Sequence, residues 1–401
     1  MRTFERTHPW LSFSANLQNA APRLWLMLGE CQSKCEHIAR VPLRPGTAKQ
    51  LYQMYLAKGV SATTAIEGNT LSEREVREHL EGKLNVPPSR EYLVREVDNV
   101  VLGCNEILQG IVEGRIPGIT SEAIQHLNEV VLNGLTLEEG CVPGRIREHS
   151  VVVGRYRGAP PQDCEWLLQR LCEWLNSDDF NAPSGLTIVY AILKAVIAHL
   201  YLAWIHPFGD GNGRTARLLE FQILIGAGIP AASAHLLSNH YNLTRSEYYR
   251  QLENASRSGG DILLFVTYAV QGFLDGLKQQ IDVIWEQQWD VAWRNYVHER
   301  FRDKTSPSQM RRRHLVLDLS QRVKPVPKAE IPDISARLAH AYARSTDKTL
   351  IRDLNAMCEA GLIVKTPDGY RAHKELILAF LPQRADVYPH GDEGDVPQKG
   401  L

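Results

Sequence analysis

The chain lacks most of the features that would place it quickly. It has no net charge to speak of: 45 Lys and Arg stand against 46 Asp and Glu, so no overall basic field directs it to nucleic acid or to an anionic membrane. It has no long apolar run free of charge. The longest, Ile188–Ile205, contains Lys194 and His199 and reads as a buried core helix, so no membrane partner is expected. The opening residues, MRTFERTHPW, hold no apolar stretch, so no secretory signal is expected and the cytoplasm is the expected location. Cysteine is sparse, odd in number and scattered (Cys31, Cys35, Cys104, Cys141, Cys164, Cys172, Cys358), which reads as reduced thiols. Cys31 and Cys35 are four apart, but no second Cys/His pair completes a zinc site, so they read as core. There is no G-x-x-x-x-G-K-[ST] run, which excludes a Walker-type phosphate loop, and no internal repeat.

What is present is helical periodicity. Amphipathic or apolar segments cover Ala48–Ala65 (interrupted by Gly59), Glu91–Glu113, Ser121–Leu135, Cys164–Leu175, Ile188–Ile205, Arg214–Ile225 and Ser246–Ser256, with a long helix from Asp261 to Arg302. The predicted class is mainly α. Val151–Val153 reads as a short strand, paired as a hairpin with Gly154–Arg157. After a linker at Lys304–Pro307 the rhythm changes to helices at Gln309–Gln321 and Ile331–Arg344 and a third at Thr346–Ala360, with Ser345 as N-cap and Gly361 as its stop. Leu362–Thr366 and Tyr370–His373 then flank a Pro-Asp-Gly turn. Three helices and a hairpin in this order predict a winged helix-turn-helix over 308–383. The polar, Pro- and Gly-bearing residues 384–401 predict a disordered tail.

The densest chemistry lies at 206–217, HPFGDGNGRTAR. Gly211 and Gly213 let the backbone approach an anion closely, and the N–H groups of Gly211, Asn212 and Gly213 are expected to form a phosphate nest at a helix N-terminus. Arg214 and Arg217 are one turn apart, so both reach one polyphosphate. Asp210 is a candidate Mg²⁺ ligand, and His206 has the chemistry of a general base toward a hydroxyl.

This run resembles the signature HxFx(D/E)GNGRxxR of Fic-domain proteins at every defined position. VPGRIREHSVVV (142–153) resembles the segment leading into the family's flap, and LLSNHYNLTRSEYYRQL (236–252) its closing helices. The resemblance implies a Fic helical core over 116–303, behind an N-terminal helical region over 1–115. It implies a protein adenylyltransferase that moves AMP from ATP, with Mg²⁺, to a Ser, Thr or Tyr hydroxyl of a protein, itself included. His206 would be the catalytic base and Asp210 the metal ligand. Gly211, Asn212, Gly213, Arg214 and Arg217 would hold ATP, and Asn242, Tyr248 and Tyr249 would border its base. Val151, Val152 and Val153 would contact the target strand. Relatives use other donors, UMP or phosphocholine, so ATP rests on the family majority.

Residues 63–68, TTAIEG, are by themselves an ordinary helix end, with Thr63 and Glu67 on one face. They resemble the family's inhibitory signature (S/T)xxxE(G/N), which implies that Glu67 pairs with Arg217 and holds the enzyme off; some relatives use this glutamate to remove AMP instead. The rival reading is a nucleotide-sensing DNA-binding regulator acting through the winged helix. Its third helix mixes Lys348 and Arg352 with Asp347, Asp353 and Glu359, and Arg311–Arg313 reads as a solvated run. A protein-contact or homodimer-forming module is therefore expected in preference to DNA binding.

Overall fold

A computed structural model describes residues 2–115, 118–343 and 345–378. The helices follow the apolar stripes and their end signals. In chain order they are α1 (Phe4–Thr7), α2 (Pro22–Arg40), α3 (Pro45–Ala65), α4 (Glu73–Leu80), α5 (Glu91–Val112) and α6 (Ser121–Leu132). A two-stranded antiparallel hairpin, β1 (Val152–Val153) and β2 (Tyr156–Arg157), comes next. Then follow α7 (Pro161–Leu175), α8 (Thr187–Ile205), α9 (Asn212–Gly226), α10 (Ala231–Ala234), α11 (Leu236–Leu243), α12 (Arg245–Arg257) and the long α13 (Leu263–Arg300). The chain closes with α14 (Pro307–Leu319), α15 (Ala336–Tyr342), α16 (Asp347–Glu359) and a second hairpin, β3 (Ile363–Thr366) and β4 (Gly369–Ala372).

The chain divides into two compact units, Met1–Val283 and Ile284–Leu401, each with its own apolar core. In the first, α8 is apolar on all sides and therefore lies in the middle, packed by α2, α7 and α9. Although long and apolar enough to cross a bilayer, it is buried within the unit. Prolines at the first turn start α2, α3 and α7, where the missing N–H costs nothing. A capping box, Ser72 with Glu75, starts α4. Gly59 does not interrupt α3: a Cβ there would overlap the His235 ring, so the glycine is the condition for close packing. Cys31 and Cys35 are buried in the core.

The second unit differs in detail from its sequence reading. The helix expected over 331–344 is a 3₁₀ segment, Lys328–Ile334, followed by α15. Pro332 cannot donate to an α-turn, and Ser335 starts α15 by accepting from the Leu338 amide at 3.2 Å. Thr346, not Ser345, occupies the N-cap of α16, while Gly361 takes the left-handed φ of +72° after it. Strands β3 and β4 pair from Thr366↔Gly369 to Ile363↔Ala372, so Pro367 and Asp368 form the two-residue turn. Leu315, Leu338, Leu354 and Ile363 sit in one core among α14, α15, α16 and the hairpin. The tail expected over 384–401 lies outside the described residues.

Candidate active site

The central helix α8 delivers His206. It ends at Ile205, and His206 takes the left-handed conformation, φ 51° and ψ 59°, which is costly for a residue with a Cβ and must be held by its surroundings. Arg147 does much of the holding. Its buried guanidinium donates from Nε to the His206 carbonyl at 2.7 Å, from Nη1 to His149 O at 2.6 Å and from Nη2 to Ala159 O at 2.6 Å. The same residue's amide donates to Pro207 O at 3.0 Å, and Ile146 bridges Phe208. His206 Nδ1 lies 3.3 Å from Ala203 O, an acceptor only, so Nδ1 carries the proton and Nε2 keeps its lone pair. Burial pushes the imidazole pKa down to about 4. The Ala203 contact opposes this and the Arg147 charge adds to it, so the ring is neutral at ordinary pH.

The turn is closed by Asn212. Its side-chain amide accepts from Phe208 N at 3.0 Å and donates to Phe208 O at 2.9 Å, while Phe208 itself is fully buried. Asn212's side chain is thereby committed to the loop, and only its backbone N–H is left for an anion. Gly211, φ +76°, gives its N–H to Asp210 Oδ1 at 2.5 Å, so it is not a free member of the expected nest. Thr215 is the first residue of α9 with an i−4 partner, Gly211 O at 2.9 Å, so the amides of Asn212, Gly213 and Arg214 are N-terminal donors with no backbone partner among the described residues. Asp210 is half exposed and lies 3.3 Å from Arg214 Nη2.

Glu67 reaches this helix N-terminus from α3. It sits just past the helix end rather than on its face, and Gly68 turns the chain away with φ +103°. The Glu67 carboxylate is 2.5 Å from Arg217 Nη2, which also donates to Thr63 O at 2.9 Å; Thr63 therefore acts through its carbonyl. A Cβ on Gly213 would overlap the same carboxylate, so the glycine is what lets an anion lie against α9. Burial alone would raise the Glu67 pKa; the Arg217 guanidinium, and then Arg214, outweigh it and hold the carboxyl below the usual range. Arg217 is wholly buried, yet its Nε and Nη1, like Arg214 Nε, have no hydrogen-bond partner among the described residues. Buried guanidinium donors left open beside a helix N-terminus fit an anion with more oxygens than one carboxylate supplies.

The other expected positions fall differently. Val152 and Val153 are exposed on β1, whose outer edge is unpaired, and Val151 O accepts from Gly158 N at 3.1 Å. Asn242 is half-buried on α11 and makes no side-chain hydrogen bond among the described residues. Tyr248 is not free to border a ligand: it is buried, stacks on Tyr241, and its hydroxyl lies 2.8 Å from His199 Nε2. His199 Nδ1 in turn lies 3.2 Å from Glu220, which accepts from Tyr241, so a buried polar chain packs behind α9. Tyr249 donates to Ile66 O at 3.2 Å, beside Glu67. Sequence reasoning missed the roles of Arg147 and Asn128. Buried Asn128 donates to Asp210 O at 2.9 Å and accepts from Gly144 N at 3.0 Å, tying α6, the turn and the approach to the hairpin together. An asparagine on the apolar stripe Ile124–Leu127–Val131 was the available signal.

The site thus brings together a core helix ending in a neutral histidine, a glycine turn and an arginine-armed helix N-terminus, an arrangement whose chemistry fits an anion. Residues 118–224 match the model of the Fic/DOC family. It is 30% identical over 261 residues to "Protein adenylyltransferase Fic" of Nematostella vectensis, covering 64% of this chain and 57% of that one. It is 33% identical over 247 residues to "Protein adenylyltransferase fic-1" of Caenorhabditis elegans, covering 59% and 44%. The chain thus spans about half the length of the curated relatives it matches. The fold is shared with a Fic family protein from Desulfovibrio desulfuricans G20, at TM-score 0.54 and 20% identity over 91% of this chain and 98% of that one. Residues 134–508 of Fic-1 from C. elegans align at TM-score 0.53 and 26% identity, covering 65% of this chain and 72% of that chain.

Proposed function

We propose that this chain is a protein adenylyltransferase held inactive by its own Glu67. The observation that carries the reading is the carboxylate lodged against Gly213 and Arg217, with further guanidinium donors left open. A carboxylate there stands in for a phosphate of ATP, and its presence blocks the full triphosphate from seating. Adenylyl transfer is the activity named for the relatives above.

With Glu67 displaced, Arg214, Arg217 and the open amides of α9 take the β- and γ-phosphates. Neutral His206 accepts the proton of an acceptor Ser, Thr or Tyr hydroxyl at Nε2. The hydroxyl oxygen bonds to the α-phosphorus while the bond to pyrophosphate breaks. Half-exposed Asp210 is the residue that would hold Mg²⁺, a cation content with one carboxylate plus phosphate oxygens, whose charge would offset that of the triphosphate. The open edge of β1 would align an extended acceptor segment by strand addition, a segment of this chain included.

The test is intact mass after incubation with ATP and Mg²⁺. Glu67→Gly should gain one AMP moiety about 10- to 100-fold faster than wild type. Adding His206→Ala to that variant should cut the rate by about 10²- to 10⁴-fold. No gain in Glu67→Gly contradicts the inhibition; an undiminished rate without His206 contradicts the base assignment.

A further inference from the structure

The second unit has a charge that the whole chain conceals. Over Ile284–Leu401 nineteen Lys and Arg stand against sixteen Asp and Glu, net +3 in a chain of net −1, and thirteen of those bases against eight of the acids lie within 305–378. The structure also sorts these charges between inside and outside. Asp353, on α16, is 1% exposed and turned into the core, where Arg311 Nε (2.6 Å), Arg312 Nε (2.7 Å) and the Tyr342 hydroxyl (3.2 Å) satisfy it. Asp318 is likewise buried and paired with Arg337 and Ser335. Both buried acids are thus answered by arginines from the same unit, and neither contributes negative charge to the outward face of α16.

Arg311 and Arg312 are not a solvated run, and Asp353 does not share the face that α16 turns outward. That face carries Lys348, Ile351, Arg352 and Asn355, with Asp347 and Glu359 at its two ends. Its composition is specific. Lys348 suits a phosphate, the Arg352 fork matches the guanine edge, the Asn355 amide matches adenine, and exposed Ile351 offers an apolar contact for a thymine methyl. Exposed Lys365 on β3, the strand that packs on α16, adds a further cation.

We infer that the second unit binds double-stranded DNA, with the outward face of α16 in the major groove and Lys348 and Lys365 on the backbone. The inference is independent of the transferase reading. It is tested on the full chain by fluorescence anisotropy with a labelled pool of duplexes carrying a randomised core, over a series of salt concentrations, followed by selection and sequencing of the bound fraction. Binding should weaken linearly in log–log form as salt rises. Lys348→Ala should flatten that slope by about one, and Arg352→Ala should weaken the selected duplex by about 5- to 150-fold. Asn355→Ala should relax the selected sequence at one position. All three side chains are on the surface, so the variants keep their fold, checked by circular dichroism. No salt-dependent binding, or binding indifferent to both Lys348→Ala and Arg352→Ala, overturns the inference. So does a self-associated state in sedimentation that these variants dissolve and DNA does not displace.

Discussion

Each unit contains a buried arginine–carboxylate site, and the two are built in opposite ways. In the second unit a fully buried acid, Asp353, meets two guanidinium groups and a tyrosine hydroxyl, so the carboxylate is fully answered. In the first, a fully buried base, Arg217, meets one carboxylate that is still 33% exposed, and two of its nitrogens have no partner among the described residues. A satisfied site of this kind specifies a fold. An under-satisfied one, facing a helix N-terminus, has the chemistry to take a ligand richer in oxygen than the side chain now occupying it, as proposed above.

Removing each acid is the strongest way to break that comparison. Asp353→Ala leaves two arginines and a hydroxyl unanswered in the core and should cost about 3–5 kcal/mol of stability in chemical denaturation, with no recovery on adding ATP. Glu67→Gly should cost less, about 1–2 kcal/mol, because the partly exposed partner is screened, and millimolar ATP should restore the loss by binding the folded form. Equal losses, or recovery of both by ATP, would erase the distinction. A smaller effect sharpens it. The His206 imidazole, followed by NMR in the resting protein, should stay neutral until the pH approaches about 4, below its usual 6.5. Because its folded-state pKa is depressed, the stability it contributes is complete above about 6.5 and is lost as the pH falls toward 4. Titration near 6.5 would mean that the ring is neither desolvated nor held beside Arg147.

The helices α5, α7, α8 and α9 were legible because each has a single unambiguous apolar pattern and marked ends. The loop at 206–217 was legible because glycine, histidine and arginine at that spacing have few other uses. Long-range pairings were not legible. Arg147 reaches the His206 carbonyl across 59 positions, and nothing in its neighbourhood distinguishes it from a surface arginine. Tyr248 and Asp353 were misplaced for the same reason: a helix position fixes a face, but only packing decides which face is buried. The helix expected over 331–344 failed locally, because Pro332 and the Ser335 cap outweigh the apolar spacing.

The central claim is that Glu67 occupies the place of an outer phosphate on Arg217. Isothermal titration of ATP and of AMP into wild type and Glu67→Gly tests it most directly. If the carboxylate competes with the outer phosphates, ATP should bind the variant about 10- to 100-fold more tightly than wild type, the worth of one or two charge-assisted hydrogen bonds, while AMP binding stays unchanged. An equal gain for both nucleotides, or none for ATP, would show that Glu67 does not stand in that place.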